Sequence, residues 1–157
     1  MDAQSPVSAP AQAVAEVTAR NRDDSGERVA DDVVFHALAL LGIDYRHGGR
    51  APLTGLDCSG LVRHVYREAK GIDLPNTSRE MSRVGVTVTR EALAPGDLVF
   101  YHTLRRAFSH VGIYLGGNRF IHAPSTGGEV RIDDMSAAYW ARRFDGARRI
   151  DANAPQR

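Results

Sequence analysis

The chain is 157 residues long, 43% hydrophobic and 25% charged, with a formal net charge of +1. That length suits one domain with a real core, and the near-neutral charge leaves no electrostatic footprint for nucleic acid or an anionic membrane surface. No run of about 18 apolar residues is present to cross a bilayer, and the single cysteine, Cys58, forbids an intrachain disulfide, so cysteine usage leaves the compartment open.

Residues 1–28 are rich in Ala, Pro, Ser and charge and hold no Phe, Trp, Tyr, Leu or Ile. Such a stretch buries too little apolar surface to offset the entropy of ordering, so it reads as a flexible tail. Residues 29–150 then form one folded domain and 151–157 a short C-terminal tail. The chain start lacks the basic and apolar regions of a signal peptide, and any such leader is expected ahead of Met1.

The first helix is expected in "VADDVVFHALALLG", where Val33, Val34, Ala37, Leu38 and Leu41 share a stripe and Gly42 stops it. "IDYRHGGRAPLTG" follows as a loop. A second helix, "CSGLVRHVYREAKG", buries Leu61, Val62, Val65, Tyr66 and Ala69 and ends at Gly71. "LPNTSREMSRVG" holds a short third helix with Thr77 or Ser78 near its N-cap. After Pro95-Gly96 the period changes. "DLVFYH", "HVGIYLG", "RFIHAP" and "EVRIDD" read as strands, and "SAAYWARRFDGARRI" as a short helix or turn and a last strand. Helices first and strands later argue for an α+β fold, with the helices packed on a mainly antiparallel sheet.

Cys58 sits at the expected start of the second helix, after a good N-cap in Asp57. Unpaired N–H groups and the positive dipole end there favour a thiolate, while the charge of Asp57 works modestly against it. Gly60 lets another segment approach closely. A nucleophilic cysteine needs a base. Of the six histidines, His36 and His64 fall on helices and His102 ends a strand, all read as structural, whereas His47 in the glycine loop is a candidate cleft residue.

His110 and His122 lie on adjacent expected strands, and the turn between them decides their relation. A two-residue turn at Gly117-Asn118 pairs Gly116 with Arg119 and points the histidines to opposite faces. A three-residue turn pairs Leu115 with Arg119 and Gly112 with His122. The two histidines then become diagonal neighbours on one face, roughly 7–8 Å apart, with Gly112 leaving the space open. Cysteine, base and a residue orienting the base are the parts of a nucleophilic site.

Asp57-Cys58-Ser59-Gly60-Leu61-Val62, Ser109-His110-Val111-Gly112-Ile113-Tyr114-Leu115-Gly116 and Phe120-Ile121-His122-Ala123 resemble the NlpC/P60 cysteine peptidases. "YRHGG", "LAPGDLVFY" and "DLPNTSREM" resemble further elements of that family, so the likeness spans about Val29 to Ile150. The resemblance implies a papain-like fold and hydrolysis of peptide bonds in peptidoglycan stem peptides or crosslinks. It implies that Cys58 is the nucleophile, His110 the general base and His122 the residue fixing its ring. Tyr45 would donate to the oxyanion beside the Cys58 backbone N–H. Asp57, Ser59, His47 and Ser109 become candidate substrate contacts. His47 and Asn76 depart from the residues frequent in the family. Small members of the family also imply action in the periplasm or cell envelope, with a restraining protein partner a reasonable expectation.

Four rivals compete: Cys58 as a buried small residue with no chemistry, a zinc site from Cys58, His110 and His122, an acyltransferase of related architecture, and an inactive peptidoglycan-binding module. The metal reading lacks a fourth ligand and the usual ligand spacing, so no metal or other cofactor is expected.

Overall fold

The computed structural model describes residues 25–124 and 128–150. The expectations for residues 1–24 and 151–157 fall outside these. Helix α1 spans Ser25–Leu38, β1 Arg50–Ala51, β2 Gly55–Leu56, α2 Cys58–Lys70, α3 Ser78–Met81 and β3 Val86–Val88. A 3-10 turn at Arg90–Ala92 leads to β4 Leu98–Tyr101, β5 His110–Gly116, β6 Arg119–His122, β7 Arg131–Asp134, α4 Ala138–Ala141 and β8 Phe144–Arg149. Strands β3-β8-β4-β5-β6-β7 form one six-stranded sheet, antiparallel at every pairing. The fold is α+β, as expected.

Helix α2 is the element that carries the cysteine. Asp57 caps it by accepting from the Gly60 N–H at 2.7 Å, and Gly71 closes it in the left-handed region at φ 66°. Leu61, Val62, Val65 and Tyr66 are buried against the sheet, each stabilising by about 1.5–3 kcal/mol. In α1 the buried stripe is Val33, Ala37 and Leu40, whereas Leu38 and Leu41 are exposed. The sequence stripe was rotated because the helix ends at Leu38 and the following turn swings Leu40, not Leu41, inward.

Alternation along the strands separates two cores. Leu98, Phe100, Val111, Ile113 and Ile121 face the helices. Val99, Tyr101, Phe120, Met135, Trp140 and Ala147 pack together on the other face. The turn before β4 is locked from two sides. Arg149 grips the buried Asp97 carboxylate with Nε at 2.8 Å and Nη2 at 2.9 Å, and Tyr66 Oη donates to the Gly96 carbonyl at 2.6 Å.

The β5–β6 hairpin combines both turn readings. Along the strands Ile113 pairs with Ile121 and Tyr114 with Phe120, the offset of the three-residue turn. At the tip Gly116, not Leu115, pairs with Arg119, and a bulge at Leu115 supplies the odd residue. Gly116, Gly117 and Asn118 all adopt positive φ, at 97°, 60° and 63°, which suits a tight two-residue turn beside a glycine bulge. His110 and His122 therefore share a face, by a route the residue count alone did not contain. A Cβ on Gly112 would stand 3.1 Å from the His122 Cβ and 2.8 Å from the Ile121 carbonyl oxygen, so glycine is required there.

Two short strands that sequence periodicity missed, β1 and β2, fold the glycine loop onto the start of α2. The Gly49 carbonyl sits where a Gly60 side chain would be. Gly60→Ala is therefore expected to cost about 2 kcal/mol, because backbone rather than a flexible side chain must move. Chemical denaturation reads the change directly.

Candidate active site

The site forms where the N-terminus of α2 meets the start of β5. Cys58 is the first residue of α2 and packs half-buried against the helix-side core. Its thiol faces the backbone N–H of Val111, the neighbour of His110, and the N–H groups of Cys58 and Ser59. These donors favour a thiolate, as the helix position suggested. Burial outweighs them and, with the charge of Asp57 adding, pushes the thiol up to about 11. The expected lowering is thus overturned in the free protein, and Cys58 is stored as a thiol.

The histidines lie under Trp140 on the other face of the sheet. His110 Nε2 and His122 Nδ1 are 2.8 Å apart, and the His110 ring is stacked on the Trp140 indole at 5.7 Å and 24°. His122 Nε2 is 2.7 Å from Asp133 Oδ2, and Arg131 Nε donates to the same oxygen at 2.8 Å. Asp133 escaped the sequence reading; the alternation of β7 against β6 was the available signal, since Phe120, two residues from His122, pairs with Asp133.

This chain fixes the protons. Hydrogen bonds from His122 and Arg131 hold the Asp133 carboxyl below its usual range, so it only accepts. His122 must then donate through Nε2, and burial keeps it neutral by lowering its pKa. Its Nδ1 is left as an acceptor for the Nε2–H of His110. Burial also pushes His110 down to about 3, so its Nδ1 carries a free lone pair. Both nitrogens of His122 are thus engaged in hydrogen bonds.

Linkage follows from the same shifts. His110 and His122 bind protons less readily folded than unfolded, so their stabilising contribution is complete above the ordinary value of 6.5 and fades as pH falls below it. The thermal midpoint of the wild-type protein is expected to drop as pH falls from the ordinary histidine value of 6.5 toward the His110 value of about 3. The double variant His110→Asn, His122→Asn should flatten that drop; an unchanged slope would remove the histidines as its cause.

Tyr45 joins the site through bridges on either side of the glycine loop, pairing with Leu56 and donating its N–H to the Gly128 carbonyl at 2.9 Å. Burial, then the neighbouring Cys58 and Asp57, raise its hydroxyl, which keeps it a donor near neutrality. Cys58 and Tyr45 are thus neighbours at the start of α2, His110 and His122 are hydrogen-bonded to each other, and the Val111 N–H at the thiol joins the two pairs. The other candidates are engaged elsewhere. Asp57 caps α2 with Oδ1 and anchors the loop by accepting from Gly48 N–H at 3.1 Å with Oδ2. Ser59 Oγ donates back to Asp57 at 3.4 Å. Ser109 Oγ accepts from the N–H groups of Thr103 and Leu104 at 2.9 and 3.2 Å, stapling the β4–β5 loop. His47 is exposed on the turn beside Gly48. Asn76 accepts from Arg50 at 3.2 Å and ties β1 to the segment before α3.

A profile of the NlpC/P60 family matches residues 42–149. Murein DD-endopeptidase MepH of Escherichia coli K12 is 44% identical over 116 residues, which is 72% of this chain and 43% of that protein. Murein DD-endopeptidase MepS/Murein LD-carboxypeptidase of the same strain is 42% identical over 112 residues, 69% of this chain and 56% of the relative. The chain thus spans about half the length of these relatives. Among solved structures, an NlpC/P60 family protein from Bacillus cereus ATCC 10987 superposes with a TM-score of 0.71 at 34% identity, covering 76% of this chain and 39% of that one. The NlpC/p60 domain of the peptidoglycan hydrolase SagA gives 0.66 at 31% identity, covering 75% of this chain and 96% of that domain.

Proposed function

The chain belongs to the NlpC/P60 family, and from that premise we propose that it is a cysteine peptidase cutting peptide bonds in peptidoglycan stem peptides or their crosslinks. The observation that carries this reading is the hydrogen-bonded line from Asp133 through His122 to His110, the residue before Val111, whose backbone N–H meets the Cys58 thiol.

The chemistry is an acyl transfer to sulfur. His110 Nδ1 takes the thiol proton as sulfur attacks the carbonyl carbon, because neither group is charged beforehand. The negative charge on the oxygen is met by the Cys58 backbone N–H and the Tyr45 hydroxyl. His110 returns the proton to the leaving nitrogen, the C–N bond breaks, and a thioester remains. Water attacks it with His110 again as base, releasing the acid and the thiol.

Tyr45→Phe removes one oxyanion donor while keeping the ring, and kcat is expected to fall by about 10²-fold with KM little changed. Asp133 acts on His110 only through His122 and is a positioning residue. Asp133→Leu should lose about 10- to 100-fold in kcat, by analogy with outer groups that orient ligating histidines. Asp133→Asn, which still offers an acceptor to His122, should recover part of that. Equal losses in both would assign Asp133 to packing alone.

Purified sacculi digested with the protein test the reading. New peptide termini with every glycan linkage intact are expected. Cleavage confined to the glycan, or no release at all, would overturn it. The substrate places action in the cell envelope, the periplasm of a Gram-negative cell, where a protein restraining the enzyme fits the hazard of wall cutting.

A further inference from the structure

A concavity of about 430 Å³, separate from the relay, is lined by His102, Thr103, Arg105, Arg142 and Arg143. We propose that it binds a free carboxylate carried by the leaving half of the substrate, an inference that rests on the peptidase reading above.

Its position follows from the pairing of the strands. Tyr101 is opposite His110 across β4 and β5, and His102 is the next residue, about one strand spacing from the relay. Trp140, stacked on the His110 ring, is followed two residues later by Arg142 and Arg143. The pocket is thus lined by residues that follow Tyr101 and Trp140, the two aromatic side chains beside the His110 ring. His110 is the group that hands a proton to the leaving nitrogen, so the leaving half of the peptide lies on that side. The acyl half lies toward Cys58 and Tyr45.

Its charge is one-sided. Among the described residues three arginines line it and no carboxylate does. The nearest acid, Asp145, is committed inward: Oδ1 is 2.7 Å from His102 Nδ1, and Oδ2 accepts from the Phe108 N–H at 2.9 Å. Arg143 is held by donating from Nη1 to the Tyr139 carbonyl at 3.0 Å and by lying 3.8 Å over the Tyr139 ring. Arg105 and Arg142 are exposed and make no side-chain hydrogen bond or ion pair among the described residues, so their guanidinium forks can face an anion.

The loop carrying Arg105 is built rather than loose. Arg105 and Phe108 both sit at positive φ, 61° and 57°, a cost that persists only where surroundings over-determine it. Those surroundings are Ser109 Oγ under Thr103 and Leu104, Asp145 on the Phe108 N–H, and Ser78 Oγ donating to the Phe108 carbonyl at 2.7 Å.

The chemistry of the substrate fits. Where the amine half released from a stem or from a crosslink is a diaminopimelate, a diamino diacid, one of its carboxylates stays free after either cut. It neighbours the leaving nitrogen in a crosslink and lies at the far end of the side chain within a stem.

The test uses two stem-derived peptides that differ only in that carboxylate, free in one and converted to the carboxamide in the other. Wild-type kcat/KM is expected to favour the carboxylate at least about 10-fold, and Arg142→Gln or Arg105→Gln to pull that ratio toward unity. Calorimetric binding of both peptides to Cys58→Ala protein reads the pocket without hydrolysis, and the same preference is expected there. Wild-type turnover of both peptides at equal rates, with equal binding, would overturn the pocket while leaving the peptidase reading standing. No turnover of either peptide, with the binding preference intact and lost in Arg142→Gln, would sustain the pocket and sink the peptidase.

Discussion

Cys58→Ala is expected to abolish hydrolysis of defined stem peptides, with kcat lowered by at least about 10⁴-fold, since every later step needs the sulfur–acyl bond. The fold should survive. Cys58 is only half-buried, its backbone remains the first turn of α2, and the Asp57 cap to Gly60 does not involve the side chain. Near-wild-type thermal unfolding with activity at background is therefore the predicted pair of results. Appreciable turnover by the alanine variant would transfer the chemistry to another group.

His110→Ala is the second large effect. General-base assistance is worth about 10²–10⁴, and a loss within that range is expected, because a thiol pushed up to about 11 does not ionise near neutrality without a base to take its proton. A thiolate–imidazolium pair would be alkylated quickly near neutrality and would titrate in its acid limb. A neutral pair behaves differently. Iodoacetamide should label Cys58 slowly at pH 7 and faster as pH climbs toward the thiol value. Hydrolysis should hold a plateau that fails on the acid side only below the ordinary histidine range, when His110 is protonated. In His110→Ala the alkylation profile should change little, whereas the plateau in hydrolysis should become a steady rise with thiol ionisation.

Much of this arrangement was legible before any coordinates. Strand alternation, the Asp57 cap, the Thr77 cap and the buried face of α2 all follow from local rules, and the structure has Thr77 accepting from the Glu80 N–H at 3.1 Å. Three things were not legible, each for a physical reason. The bulge at Leu115 depends on backbone torsions that a count of turn residues does not carry. Asp133 reaches His122 across two strands whose alignment is set by tertiary pairing. The rise in the thiol pKa reflects burial set by tertiary packing, and helix position alone points the other way. The stapling of Ser109 and the double use of Asp57 are likewise products of loop closure. Residue type marks both as polar groups near the nucleophile, but not which partners claim them first.

The decisive feature is a thiol and two imidazoles stored uncharged, with their protons ordered from Asp133. Nitrogen-15 shifts of histidine-labelled free protein, followed together with the Cys58 β-carbon between about pH 4 and 10, read all three groups at once. The prediction is a neutral His122 protonated on Nε2, a neutral His110 protonated on Nε2, and a Cys58 thiol at pH 7. An imidazolium His110 facing a Cys58 thiolate at pH 7, or His110 protonated on Nδ1, would contradict it.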